Sequence, residues 1–154
     1  MIDSFLYTAS EMQYRLLLLL SSLPTDDYSC QWLSGMDFIV DYGHPFGVSE
    51  SNLHGDNWMK FTEYATKIVN VSEALRILSC RGWVKMNPAR DGFTWRITAS
   101  GTEMADAFST SYAIAYRDIV RLAFHRYGDL NEDGLNEVIM KVALSSREQE
   151  VPHG

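Results

Sequence analysis

The sequence predicts a mainly α-helical fold: a winged helix-turn-helix with a two-stranded β-hairpin as its wing and additional flanking helices. Three observations support this prediction. In several stretches apolar residues recur every three or four positions, which is typical of helices packed on a core. Between two such stretches, the residues at about 83–98 form two short strand-like runs around an Asp-Gly turn, as in a hairpin. The hairpin is followed by Thr-x-x-Gly and a helix, the usual exit from a wing.

The length and composition favour one globular domain. The chain has 154 residues, 46% of them hydrophobic, and a chain of this length can bury a sizeable core. We assign residues 1–144 to a single winged-helix domain and predict that the polar residues 145–154 form a flexible tail. The five leucines after Arg15 are too few to span a bilayer, so we expect a cytoplasmic protein without a membrane segment. We interpret Cys30 and Cys80 as reduced thiols.

The first predicted helix begins at a capping box formed by Thr8 and Glu11 and ends near Leu23, before Pro24. Its leucines cover a wider arc than a surface helix needs, so the helix is either buried centrally or shared with a partner. The next segment, "PTDDYS", is a predicted turn.

Two more helices are expected before the hairpin. In the second, apolar residues from Trp32 to Val40 recur at helical spacing, and Gly43 is a plausible end. Residues 43–57 are rich in Gly, Ser, Asn and Asp and predict a long loop. The third helix begins near Trp58 and ends at Gly82.

The hairpin itself comprises a strand over 83–87, the turn "PARDG" and a return strand over 94–98. Ser100 and Glu103 have capping-box spacing, so a helix should begin near Gly101. A long helix is then predicted over 111–127, and a last one over 135–144.

Charge is distributed unevenly along the chain. The net charge is −7, which argues against a protein held to nucleic acid mainly by its own charge. Residues 58–100, however, hold seven basic and three acidic residues, a net charge of +4, which leaves −11 for the rest. The candidate DNA contacts in this segment are Lys67, Arg76, Arg81, Lys85, Arg90 and Arg96.

A competing interpretation is that the hairpin and its helix dock on protein. Winged helices often serve as docking modules, and the third helix lacks a cluster of side chains that would contact base edges. Only Asn70 and Ser72 are candidates for that role near its start. The fold therefore does not decide the function, and a dimeric winged-helix transcription regulator remains the alternative.

Catalytic and metal-binding patterns are weak. Asp129, Asn131, Asp133 and Gly134 match the start of a calcium loop, but Met140 stands where the loop needs a bidentate glutamate. We interpret this segment instead as a turn in which Asn131 or Asp133 caps the last helix.

A second possible metal site combines residues in and beside the long loop, but their spacing matches no known ligand pattern. They are Asp41, His44, His54 and Asp56. The sequence also contains no phosphate-binding loop and no nucleophile elbow. We therefore expect no enzyme, no catalytic residue, no cofactor and no metal.

Several stretches together resemble the middle component of bacterial ABC-three-component systems, to which Lamassu-type anti-phage defence systems are related. These are "YRLLLLLSSLP", "HPFGVSESNLHGDN", "EALRILSCRGWVKM", "DGFTWRITASGTEMADAFSTSYAIAYRDIVRLAFHRYGDL" and the acidic turn that follows. The likeness runs from about Arg15 to Val142.

The resemblance implies a small, non-catalytic adaptor subunit of an anti-phage defence complex. Such a subunit would dock on an SMC- or Rad50-like ABC ATPase that engages DNA, and would help couple it to an effector, often a nuclease. DNA would then be reached through the complex. We expect the first helix and the long later helix to provide the docking surfaces, through Leu16, Leu17, Leu20, Tyr112, Tyr116 and Ile119.

Overall fold

Six helices and three short strands make up the part of the chain that the structure, a computed structural model, describes: residues 10–50, 53 and 64–150. The helices are α1 (Ser10–Ser22), α2 (Cys30–Asp41), α3 (Tyr64–Cys80), α4 (Ala99–Asp106), α5 (Ser111–Tyr127) and α6 (Glu132–Glu150). The strands are β1 (Tyr28–Ser29), β2 (Val84–Ala89) and β3 (Gly92–Ile97). The predicted mainly α-helical architecture is therefore confirmed.

The first helix lies at the centre of the molecule. Its residues 16–20 are all leucine, and each is at most 1% exposed. A helix can be apolar around its whole circumference only when it is covered on all sides, and α1 packs against α3, α4 and α5. Of the two interpretations of this helix, central burial is confirmed. The proposed capping residue Thr8 lies outside the described residues.

The second helix forms a hub for the remaining helices. Ser29 caps it by accepting a hydrogen bond from the Trp32 amide at 3.1 Å. The helix packs against α3, α5 and α6, and the Trp32 indole donates a hydrogen bond to the Leu130 carbonyl at 2.9 Å. This bond fixes the turn that precedes α6.

The sheet has one more strand than the sequence predicts. "PTDDYS" was expected to be only a turn, but Tyr28 and Ser29 pair with Trp95 and Thr94 of β3. The strand order is β1-β3-β2, and all pairs are antiparallel. A strand of two residues is too short to show an alternating pattern in the sequence. It forms where β3 provides its hydrogen-bond partners.

The exit from the hairpin depends on a close approach between backbones. Thr98, rather than Ser100, caps α4: its hydroxyl accepts a hydrogen bond from the Gly101 amide at 3.0 Å. At Gly101 an added Cβ would collide with the Trp83 carbonyl oxygen. The Thr-x-x-Gly motif thus caps the helix and leaves room for the strand beside it.

The last two helices match their predicted positions to different degrees. The bounds of α5 are those predicted, and Gly128 follows it as expected. In contrast, α6 begins at Glu132 and continues to Glu150, so residues 145–150 are helical rather than a loose tail. Residues 151–154 lie outside the described part.

Candidate functional site: the hairpin and the buried charge cluster

One face of the β2–β3 hairpin is apolar along its whole length. Three cross-strand pairs form it: Val84 with Ile97, Met86 with Trp95, and Pro88 with Phe93. The pair nearest the helices is buried, and so is Trp95. Towards the turn, Met86 is 43% exposed and Phe93 is 54% exposed. The face therefore begins in the core and ends in solvent.

The opposite face is polar and carries its own counter-ions. Lys85 stands opposite Arg96, and Asn87 opposite Thr94. The Arg96 Nε donates to Asp27 Oδ1 at 3.0 Å, and the Asn87 amide donates to the same oxygen at 3.1 Å. These hydrogen bonds, that from Arg96 above all, lower the pKa of Asp27. Arg96 is thus paired with a carboxylate of the same chain.

The other candidate DNA contacts on the surface differ in whether they already interact with side chains of the same chain. Arg76 is ion-paired with Glu73, one turn before it on α3. The Arg81 guanidinium lies over the Trp83 ring, 5.2 Å from its centroid. Lys85 and Arg90 are exposed, and Arg90 lies in the turn of the hairpin as predicted. The basic segment therefore presents less free positive charge than its composition suggests.

Lys67 is not a DNA contact in this fold. Its Nζ lies 2.8 Å from Asp37 Oδ2 and 3.3 Å from Asp41 Oδ2, and its side chain is only 11% exposed. A lysine held between two carboxylates inside the protein cannot reach a phosphate without breaking both ion pairs. The expectation for this residue is corrected.

Lys67 belongs to a buried charge cluster, which we define as Arg15, Asp37, Asp41, Lys67 and Tyr116. Asp37 is fully buried, and Arg15 donates to both of its oxygens, at 3.2 and 2.8 Å. The Tyr116 hydroxyl donates to Asp37 Oδ1 at 2.7 Å. Arg15 also lies 3.1 Å from Asp41 Oδ2. The cluster joins α1, α2, α3 and α5 at one point.

The electrostatics of the buried charge cluster favour its charged form. Burial, the largest influence, acts to raise the pKa of Asp37, but the charges of Arg15 and Lys67 outweigh it and lower that pKa well below its ordinary value. Burial and the neighbouring carboxylates together raise the pKa of Tyr116, which therefore keeps its proton and donates it. Arg15 and Lys67 face the buried carboxylates Asp37 and Asp41, and Arg15 also pairs with the partly exposed Glu11 at 3.1 Å, so every charge of the cluster has a partner and the cluster is a structural element.

Most of the residues expected to form docking surfaces are in the core. Leu16, Leu17, Leu20 and Tyr116 are at most 1% exposed, and Ile119 is 8% exposed. Tyr112 is half-buried, and its hydroxyl lies 3.5 Å from Asp41 Oδ1. The apolar surplus on α1 and α5 is used within the chain, because other helices of the same molecule cover it. Five of the six residues are therefore buried within the chain, and Tyr112 alone of the six is partly exposed.

A groove separates the tip of the hairpin from the helices. Its volume is about 440 Å³, and Phe93, Trp95 and Arg90 line its hairpin side. The other side is formed by residues 29–31 at the start of α2, by Ser72 of α3 and by Glu132 of α6. The alternation of "VKMNP" and "FTWRI" in the sequence could have identified the apolar hairpin face, which the sequence-based reasoning missed.

The calcium-loop-like turn has a structural role, and the possible metal ligands are only partly within the described residues. The Asn131 side chain accepts a hydrogen bond from the Gly134 amide at 2.8 Å, so it caps α6 as predicted. Of the possible metal ligands, Asp41 is held in ion pairs and His44 is exposed, whereas His54 and Asp56 lie outside the described residues.

Cys30 and Cys80 are free thiols, and burial raises the pKa of Cys30. Within residues 10–50 and 64–150, no helix combines the length and the apolar character needed to cross a bilayer.

A comparison with known protein families gives a match over nearly the whole chain. The family model is described as ABC-three component (ABC-3C) system Middle Component 2, and it matches residues 5–149. No curated protein and no solved structure matches the chain.

Proposed function

Because the chain belongs to the family of ABC-three-component system middle component 2 proteins, we propose that it is a non-catalytic accessory subunit of an anti-phage defence complex of the Lamassu type. It docks on an SMC-like ABC ATPase and helps couple the sensing of DNA by that ATPase to an effector subunit. The family match over residues 5–149 carries this proposal, since a middle component implies partner subunits.

The proposal includes a winged-helix fold for the N-terminal two thirds of the chain. The order of elements from α1 to β3 is helix, strand, helix, helix, strand, strand. The short first strand pairs with the last one, which gives the sheet order β1-β3-β2. A three-stranded sheet of this order beside three helices supports the winged-helix assignment, with β2 and β3 as the wing.

The distribution of charge supports a subunit that reaches DNA through its complex. Affinity for DNA rests largely on cations that neutralise phosphates. Among the six candidate cations, Lys67, Arg76 and Arg96 are ion-paired within the chain. The net charge of −7 adds a general repulsion from the phosphate backbone. We therefore assign DNA contact to the complex rather than to these six residues.

The second candidate function is a dimeric winged-helix transcription regulator. The sheet order and the exposed Arg90 at the turn of the hairpin favour it. A regulator would be a two-fold dimer that shifts its own promoter DNA without any other protein. An accessory subunit would instead elute with an ATPase.

Co-purification distinguishes these two functions. We expect the tagged chain, co-expressed with the proteins encoded beside it, to retain an SMC-like ATPase subunit in a fixed molar ratio through size-exclusion chromatography. The protein retained is identified by mass spectrometry. A tagged chain that elutes without the ATPase, as a dimer that shifts promoter DNA, would overturn the proposal in favour of the regulator.

A further inference from the structure

We draw no further inference here: the strongest candidate, the cavity of about 370 Å³ between α1 and α3, carries nothing, because its charged side chains, Glu11, Arg15 and Glu73, are ion-paired within the chain and nothing in the structure shows which ligand it would take.

Discussion

Replacing Asp37 with asparagine is expected to lower the free energy of unfolding by about 3–5 kcal/mol. The substitution removes the one carboxylate that contacts Arg15, Lys67 and Tyr116 together. Lys67 then has only Asp41, which it shares with Arg15, while Arg15 keeps the partly exposed Glu11 as well. An incompletely compensated buried charge costs far more than an exposed ion pair contributes. Urea unfolding followed by circular dichroism measures the difference.

Asp118→Asn is the matched control for this substitution. Asp118 pairs with Arg121 on the surface of α5, where both side chains are about two thirds exposed. An exposed pair of this kind contributes about 0.5 kcal/mol. If the two variants were equally stable, the buried charge cluster would not hold the helices together as described.

The same carboxylate predicts how stability depends on pH. The pKa of Asp37 is lowered in the folded protein, so its contribution is fully present above the pKa of the unfolded chain. That contribution is lost as the pH falls through the acidic range below the ordinary aspartate value. The Asp37→Asn variant should therefore lose less stability than the wild type on acidification.

Replacing Leu20 with alanine is expected to cost about 2–5 kcal/mol, as other buried leucine truncations do. Leu20 is 1% exposed on the central helix α1, and its neighbours cannot collapse fully into the space that it leaves. This loss would be observed in the isolated chain, because the packing partners of Leu20 belong to the same molecule.

Leu122→Ala provides the same chemical change in a different environment. Leu122 is 57% exposed on α5, so this variant should change the free energy of unfolding by no more than about 0.5 kcal/mol. A Leu20→Ala variant that is as stable as the wild type, but fails to bind a partner, would restore the view that α1 is a docking surface.

The leucines of α1 show which part of the fold the sequence alone could predict and which part it could not. Their wide apolar arc correctly predicted a helix that is covered on all sides. Whether helices of the same chain or of another protein cover it depends on the tertiary arrangement, which periodicity does not contain. The assignment of Leu16, Leu17 and Leu20 to a partner surface therefore needed the structure for its correction.

The sequence indicated the buried charge cluster only in part. Asp37 and Asp41 are four residues apart in an otherwise apolar helix, which places both on one face. Two carboxylates on such a face require cations, but their identity could not be deduced. Arg15 and Tyr116 lie 22 and 79 residues away from Asp37 along the chain. Lys67 was consequently grouped with the surface cations.

The position of the hairpin was predicted correctly, but the apolar nature of one of its faces was not predicted. Both strands and the turn lie where the Asp-Gly pair indicated, with shifts of a few residues. Strand β1 escaped prediction because two residues carry no periodicity. The apolar hairpin face is visible in the alternation of the two strands once their pairing is known, but its exposure near the turn depends on where the helices end.

The affinity of the purified chain for duplex DNA, alone and within the assembled complex, tests the account most directly. We expect the complex to bind DNA with an affinity that falls steeply as salt increases. The isolated chain should bind at least about 100-fold more weakly at physiological salt, because three of its six candidate contact cations are ion-paired within the chain and its net charge is −7. Tight, sequence-specific binding by the isolated chain would contradict the account and identify a regulator instead.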